Sequence, residues 1–245
     1  MKIYKDFTKK IEITTVDDWL QHCPPMDSSR QWVPKRSAVE MANFWVKSEC
    51  QNEFISFLKT YDKDLAFQYA VPEIATKFDN YKNARKNDLC IFASSRNRQV
   101  LISIEGKADE PFGDNLFGQQ WINSINEVNS SSKKLNRIVG LYQRFDQQND
   151  ILKLRYQLTY WLAGSIDEAI RNNIDTVYLI VQEFHSDQTT NKKVTTNKND
   201  LDNFIEFISK SRYKTVEPNK VIGPVSNEFT KNINLFIGKF QKYVD

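Results

Sequence analysis

The pattern of apolar positions in the middle of the chain predicts the centre of a β-sheet. Residues 88–93 form a short apolar run, residues 100–107 form a second one, and a polar linker at 94–99 joins them. Two such runs around a polar linker are typical of an antiparallel hairpin. Because side chains alternate along a strand, the second run presents two faces. These are Val100, Ile102 and Ile104 on one, and Leu101, Ser103, Glu105 and Lys107 on the other.

Two later runs also have β character. Residues 176–184 are β-branched with few charges, a composition typical of a strand buried on both faces. Residues 233–240 fit either a late strand or a short helix, and the pattern does not decide between them.

Helical spacing of apolar residues surrounds these strands. Ser37 is predicted to begin a helix, because Glu40 follows three residues later in a capping-box pattern. Other helices are predicted at 52–60, 119–129, 135–145, 152–171 and 201–209, with a loop rich in Thr, Asn and Lys at 186–200. This order of elements predicts an α/β fold with a central mixed β-sheet flanked by helices and an extra N-terminal helical region.

No linker rich in Pro, Gly or Ser divides the chain, and no repeat is visible. We therefore expect a single domain over residues 1–245. Within it we expect an N-terminal helical extension to about residue 70, a core over about 71–185, and helix and strand elements over about 186–245.

Composition narrows the class of protein. The chain has 245 residues, of which 40% are hydrophobic and 13% aromatic, enough for a full-sized core. Its net charge of +3 permits a nucleic-acid partner without demanding one. Three cysteines and two histidines disfavour a disulfide framework or a structural zinc site. No apolar run is long enough to span a membrane, and the N-terminus lacks a secretory pattern, so a cytoplasmic protein is expected.

Asp88, Glu105 and Lys107 form the strongest candidate for chemistry. A turn centred near Asn97 would pair position 88 with position 106, within reach of Glu105 and Lys107, although a bulge would be needed to align the side chains. Carboxylates brought together at the end of a rigid sheet can bind Mg²⁺, and a nearby lysine can orient water or stabilise developing charge. This pattern suits a metal-dependent nuclease.

These residues resemble a known family. Asp88, sixteen intervening residues and then Glu105-Gly106-Lys107 resemble the PD-(D/E)XK nuclease superfamily, which includes restriction endonucleases and Holliday-junction resolvases. Asn87 stands where the usual proline would be. Glu73 suits the acidic residue that members often carry on a helix before the hairpin. Gln157 is similar to the polar residue on the helix that follows the motif strand.

The resemblance implies a restriction-endonuclease-like fold and a Mg²⁺-dependent enzyme that hydrolyses DNA phosphodiester bonds in restriction, repair or phage defence, with Mn²⁺ as a substitute metal. Asp88, Glu105 and the carbonyl of Gly106 would bind the metal. Lys107 would position the attacking water, and Glu73 would hold a second metal or bind the first through water. Gln157 would orient Lys107 or contact the scissile strand.

Alternatives to catalysis stay open. A protein could keep the nuclease fold while only binding nucleic acid or regulating a partner. Restriction endonucleases often dimerise to cut both strands, which brings a homodimer into consideration, but the sequence identifies no dimer surface. At the residue level, Asp88 fits a turn cap, Glu105 and Lys107 fit a solvated pair, and Glu73 after Pro72 fits a helix N-terminus.

Basic residues near the hairpin are candidates for binding DNA phosphates: Lys82, Arg85, Lys86, Arg96 and Arg98. Lys192, Lys193 and Lys198 are weaker candidates of the same kind. Asp109 and Glu110 are expected in an exposed loop, in preference to a role as extra ligands or a lid. Trp32, within the distinctive segment 31–38, is expected in the core or at a subunit interface rather than stacked on a base.

Overall fold

A mixed β-sheet of seven strands runs through the centre of the computed structural model. The structure describes residues 1–76, 79, 85–127, 133–145, 148–225, 227–230 and 233–245. The strands are β1 Lys2–Ile3, β2 Leu65–Thr76, β3 Arg85–Ser95, β4 Arg98–Lys107, β5 Thr176–His185, β6 Lys220–Val225 and β7 Asn234–Tyr243. They lie in the order β1-β2-β3-β4-β5-β7-β6.

Strands β2, β3 and β4 form an antiparallel meander, of which β3 and β4 are the predicted hairpin. Strand β4 then pairs in parallel with β5, and β5 pairs in parallel with β7. At the two edges, β1 runs parallel to β2 and β6 runs antiparallel to β7. The parallel strands at the centre require cover on both faces of the sheet.

Helices from the two halves of the chain supply that cover. The α-helices in the described residues are α1 Val16–His22, α2 Ser28–Gln31, α3 Ser37–Trp45, α4 Ser48–Lys59, α5 Phe117–Asn126, α6 Lys134–Arg144, α7 Tyr156–Arg171 and α8 Asn191–Ile208. Side chains of α1, α3 and α4 pack on one face of the sheet. Side chains of α5 to α8 pack on the other face. None of the helices in these ranges is long and apolar enough to cross a membrane.

The α/β class and the central elements are confirmed. Val100, Ile102 and Ile104 pack in the core beneath α1, α3 and α4, while Leu101 packs on the opposite side. Strand β5 is buried along nearly its whole length, as the β-branched run predicts. The undecided segment at 233–240 is a strand, β7, because its apolar residues alternate between the two cores.

Two local predictions are wrong. Residues 191–200 are the first half of α8 and not a loop. Thr190 caps this helix by accepting the Lys193 N–H, and buried residues at helical spacing, among them Asn197 and Leu201, hold it against the core. Tertiary contacts of this kind override the weak helix propensity of Asn and Thr.

The predicted capping box at Ser37 also fails. Arg36 occupies the N-cap of α3 without a side-chain capping bond. Glu40 is buried and its carboxylate instead accepts the backbone N–H of Lys35 at 2.9 Å. Lys35 adopts a positive φ of 65°, so Glu40 stabilises a tight turn ahead of the helix rather than its first turn.

The contact between α7 and β2 yields a test of the packing. A Cβ added at Gly164 on α7 would lie 2.4 Å from Oγ1 of the buried Thr76, whereas one at Gly140 on α6 would meet nothing within 4 Å. We expect Gly164→Ala to lower the free energy of unfolding by about 2 kcal/mol through overpacking. Gly140→Ala should raise it by up to about 1 kcal/mol through helix propensity. Urea denaturation measures both, and stabilisation by both substitutions would contradict this packing.

Candidate functional site

The register of the hairpin brings Asp88 to Glu105. Ser95 pairs with Arg98 and Leu89 pairs with Ile104, so the turn is the two-residue segment 96–97. Continuing that register by one residue places Asp88 opposite Glu105, one position earlier than the predicted partner at 106. The regular pairing ends there, and the Asp88 carboxylate accepts the backbone N–H of Gly106 at 2.7 Å. Asp88 therefore binds the end of the neighbouring strand and does not act as a simple turn cap.

Glu105 and Lys107 form an ion pair inside the protein. Their exposed fractions are 1% and 5%, and Lys107 Nζ lies 3.0 Å from Glu105 Oε1. Nε2 of Gln157, on the first turn of α7, donates to the same carboxylate oxygen. The interpretation of a solvated pair is therefore wrong. Gln157 is on the predicted helix, and it binds Glu105 rather than Lys107, one of the two partners that the resemblance implies.

The electrostatic surroundings keep Lys107 in its ammonium form. Three carboxylates act on this group, those of Glu105, Glu110 and Asp88. Burial alone would lower the pKa of Lys107, but the combined negative charge outweighs it and raises that pKa above its ordinary value. At neutral pH the side chain is therefore a buried hydrogen-bond donor that carries a full positive charge.

Glu110 is a functional candidate that the sequence placed in an exposed loop. Both of its carboxylate oxygens are buried, and neither has a hydrogen-bond partner in the described part of the chain. Its segment is fastened to α8, because Lys193 Nζ lies 2.5 Å from Asp109 Oδ2 and Asn197 donates to the Glu110 carbonyl at 2.9 Å. The expectation of a solvated loop is therefore wrong. An unpartnered carboxylate at this depth is costly unless a cation or donor reaches it.

These side chains line one cavity at the end of the sheet. Its volume is about 560 Å³. The acidic side chains in its lining are Glu73, Asp88, Glu105, Glu110 and Asp114, and Lys107 and Gln157 lie among them. The segment between α1 and α3 also contributes to the lining, with Arg30 and Arg36. The cavity thus lies between the helical layers that cover the two faces of the sheet.

Glu73 reaches the cavity from a strand and not from the predicted helix. It lies within β2, between Pro72, which pairs with Leu89, and Ile74. Its φ of 49° interrupts the regular strand geometry at that point. Its carboxylate lies 3.4 Å from Nζ of Lys86. The helix N-terminus proposed for Pro72 and Glu73 is therefore wrong, although the residue does line the same cavity as Asp88.

The basic residues of the hairpin divide into two groups. Lys86 lines the cavity. Arg96 and Arg98 lie at the opposite end of the hairpin, where Arg96 pairs with Asp64 at 2.7 Å. Arg98 is seven residues before Glu105 on β4, roughly 24 Å along an extended strand. Arg96 and Arg98, two of the candidates for binding DNA phosphates, therefore do not lie beside the acidic residues.

The remaining basic candidates are distributed differently. Lys82 and the side chain of Arg85 lie outside the described residues. Lys192, Lys193 and Lys198 belong to α8. Lys193 is paired with Asp109, and Lys198 is paired with Asp202 at 2.5 Å. These two lysines are therefore committed to contacts within the protein.

The oxygen donors of the cavity would supply only part of the coordination shell of a magnesium ion. Among the described residues, no group of three or more His, Cys, Asp or Glu side chains is placed to hold a metal ion. Magnesium is commonly bound by one or two carboxylates, with water and substrate phosphate completing its shell. Asp88 and Glu105 match that donor set, and Glu110, whose carboxylate has no hydrogen-bond partner among the described residues, adds negative charge to the same cavity.

A second buried Glu–Lys pair lies beside the first and differs from it. Glu183 on β5 is the register partner of Lys107. Its carboxylate is fully occupied by Lys239 at 3.0 Å, Gln241 at 2.7 Å and His185 at 3.3 Å. Burial would raise the pKa of Glu183, but the His185 hydrogen bond and the charge of Lys239 outweigh it and lower that pKa. This pair stabilises the ends of β5 and β7, and the sequence pattern did not single it out.

The pKa of Glu183 gives a stability test. At pH 7, Glu183→Gln should lower the free energy of unfolding by about 3 kcal/mol, because Lys239 stays buried without its carboxylate. The folded pKa lies below the ordinary 4.5, so this contribution is present above pH 4.5 and is lost as the pH falls through the folded value. Urea denaturation at several pH values should show the difference from wild type shrinking in acid. A difference that does not change with pH would contradict the assignment.

Comparison with known proteins identifies the family of this chain but assigns it no activity. A model of the family described as "Domain of unknown function (DUF6946)" matches residues 12–243. No curated protein and no solved structure matches the chain. Because the family match spans nearly the whole chain, the protein belongs to the DUF6946 family, whose shared domain is of unknown function.

Proposed function

We propose that this protein is a Mg²⁺-dependent nuclease that hydrolyses phosphodiester bonds of DNA on a restriction-endonuclease-like fold. One observation carries the proposal. The buried Glu105–Lys107 pair opens into a cavity that also contains Asp88 and a Glu110 carboxylate with no hydrogen-bond partner in the part of the chain that the structure describes. The motif that resembles the PD-(D/E)XK superfamily thus coincides with a concave, charged and buried site.

The energetic cost of this arrangement supports a functional role. Taking an ion pair out of water costs several kcal/mol per ion, and the attraction between the charges often only balances that cost. Here one lysine faces three carboxylates, so negative charge exceeds positive charge in the immediate surroundings of Lys107. Strongly coupled charges in a cleft are typical of functional sites, although structural networks also produce them. The neighbouring Glu183–Lys239 pair shows the structural arrangement, in which every oxygen has a partner.

In this proposal Asp88 and Glu105 hold the metal, with the Gly106 carbonyl as a further ligand and Glu73 as an auxiliary carboxylate. Bound Mg²⁺, or Mn²⁺ in its place, would neutralise phosphate charge and lower the pKa of a bound water. The Gly106 N–H fixes the Asp88 carboxylate at the strand end. The Gln157 amide fixes the Glu105 carboxylate in the same way. Both acids are therefore oriented before any ligand enters.

The role of Lys107 follows from its charge. Its raised pKa keeps it protonated at neutral pH, so it donates hydrogen bonds and does not remove a proton from water. We assign it to holding the attacking water and stabilising charge that develops on the phosphate. Proton acceptance falls to the carboxylates of the cavity. Glu110 lies among them without a hydrogen-bond partner in the described residues.

The choice of DNA and of a pathway in restriction, repair or phage defence comes from the motif resemblance. The mildly basic charge of the whole chain is compatible with it. A homodimer and a cytoplasmic location belong to the same proposal. The alternative is a protein that binds nucleic acid through this cavity, or regulates a partner, without cutting DNA.

A cleavage assay tests the proposal. Wild-type protein is incubated with plasmid and single-stranded DNA in Mg²⁺ or Mn²⁺, beside Asp88→Asn and Lys107→Ala. We expect wild type to cut at least one substrate and both variants to lose roughly a hundredfold or more in rate, the usual effect of removing a group that stabilises transition-state charge. The products are resolved on gels over time.

Arg98→Ala provides a matched control, because it removes a charge at the far end of the same strand. It should cut at the wild-type rate. Cleavage that survives both site substitutions would place the chemistry elsewhere. DNA binding without cleavage by wild type under any metal condition would favour the non-catalytic alternative.

A further inference from the structure

Residues 24–38, which contribute to the cavity lining and which we call the N-terminal wall, are held to the rest of the fold by several contacts. At its start, the Pro24 carbonyl accepts a hydrogen bond from Lys86 Nζ at 3.4 Å. In its middle, Trp32 is half-buried against the core beneath α1, α3 and α4. Near its end, Lys35 Nζ lies 2.5 Å from Asp187. The wall is therefore anchored along its length, and Trp32 acts as an anchor and not as a base-stacking platform.

Two arginines project from this wall at the rim of the cavity. Arg30 and Arg36 both line the cavity, and both are exposed. Within the described ranges the Arg30 guanidinium forms one ion pair, in which its Nε lies 3.5 Å from Asp27, and 86% of its side chain is exposed. Surface pairs of this kind contribute little. The guanidinium of Arg36 makes no hydrogen bond or ion pair with any residue in the described ranges.

Arg36 differs in this respect from the other cations of the cavity. Lys107 is paired with Glu105, and Lys86 with Glu73. Arg137 forms a two-point contact with Asp79. Across the described residues the cavity thus combines a carboxylate without a hydrogen-bond donor, Glu110, with a guanidinium that has no acceptor.

We propose that Arg36, assisted by Arg30, binds a backbone phosphate of the nucleic-acid strand next to the phosphate held at Asp88 and Glu105. This inference rests on the proposed function for the identity of the ligand. Guanidinium groups match phosphate geometry through paired N–H donors. A strand that enters the cavity carries phosphates at regular intervals. With one phosphate held at Asp88 and Glu105, a neighbouring phosphate is available to Arg36 on the N-terminal wall.

The charge around Lys107 favours such a contact. The three carboxylates there repel a polyanion, so cationic groups elsewhere in the lining help to hold it. The arginines provide attraction that does not depend on the metal. The N-terminal wall is thus a substrate-binding element, which accounts for the distinctive segment 31–38 that the nuclease motif leaves unexplained.

Binding is measured apart from cleavage. Fluorescence anisotropy follows a short fluorescein-labelled single-stranded oligodeoxynucleotide on the full chain carrying Asp88→Asn, without divalent metal. Adding Arg36→Ala should weaken binding about tenfold, as expected when a charge-assisted hydrogen bond is removed. Adding Arg30→Ala as well should weaken it further. The slope of log K against log salt should fall by about one for each phosphate that the protein no longer neutralises. Circular dichroism confirms that each variant is folded.

The matched control is Arg98→Ala in the same background, which should bind as tightly as Asp88→Asn alone. Equal binding by the Arg36→Ala and Arg98→Ala proteins would overturn the inference even if wild type cuts DNA. Absence of binding by the Asp88→Asn background at low salt would overturn it too. A selective loss with Arg36→Ala, in a protein whose wild type never cuts, would uphold the inference as a binding site and refute the nuclease.

Discussion

The buried ion pair of Lys107 with Glu105 is the constraint on which the site depends. Two opposite charges two residues apart on one strand must lie on the same face, and here that face is covered by α7 and the segment after β4. The pair is 3.0 Å apart and nearly inaccessible. The surrounding carboxylates and the amide are arranged around this buried positive charge. The fold thus brings several ionisable groups to the place where the sheet ends and a cavity begins.

The two neighbouring Glu–Lys pairs differ in how far their charged groups are occupied by partners. Glu183 lies one strand away from Lys107 and Lys239 lies two strands away, and the Glu183 carboxylate is occupied by partners on β5 and β7. Glu105 and Lys107 instead face a cavity in which Glu110 lacks a hydrogen-bond partner among the described residues. A hydrogen-bond network in which every polar atom has a partner stabilises the fold. Buried polar atoms without a partner at a cavity either bind a ligand or lower the stability of the protein. This contrast separates the candidate site from ordinary structural charge pairing.

Sequence patterns within one strand, hairpin or helix predict part of this site. Strand alternation and a short turn predicted the hairpin and the shared face of Glu105 and Lys107. The turn centre was half a residue off, which moved the partner of Asp88 from Gly106 to Glu105. Gln157 was also found on its predicted helix, because amphipathic spacing is strong along α7.

Features that depend on distant contacts were not accessible to such patterns. Glu73 lies on a strand with a positive φ, where the sequence Pro72-Glu73 looks like a helix start. Glu110 is buried because α8 fastens its segment through Lys193 and Asn197. The polar composition of the first half of α8 itself predicts a loop. Sequence spacing could not reveal the cavity wall at Arg36 either, since about fifty residues separate Arg36 from Asp88 in the chain.

The central claim is that Asp88 and Glu105 form a divalent-metal site around the fixed charge of Lys107. Calorimetric titration with Mg²⁺, and with Mn²⁺ as the second ion, tests this without depending on cleavage. The account predicts saturable binding by wild type that is lost in Asp88→Asn and in Glu105→Gln. It should be retained in Asp64→Asn, which removes a carboxylate at the far end of the hairpin. Saturable binding that survives both site substitutions, or no binding of either ion by wild type, would contradict the account.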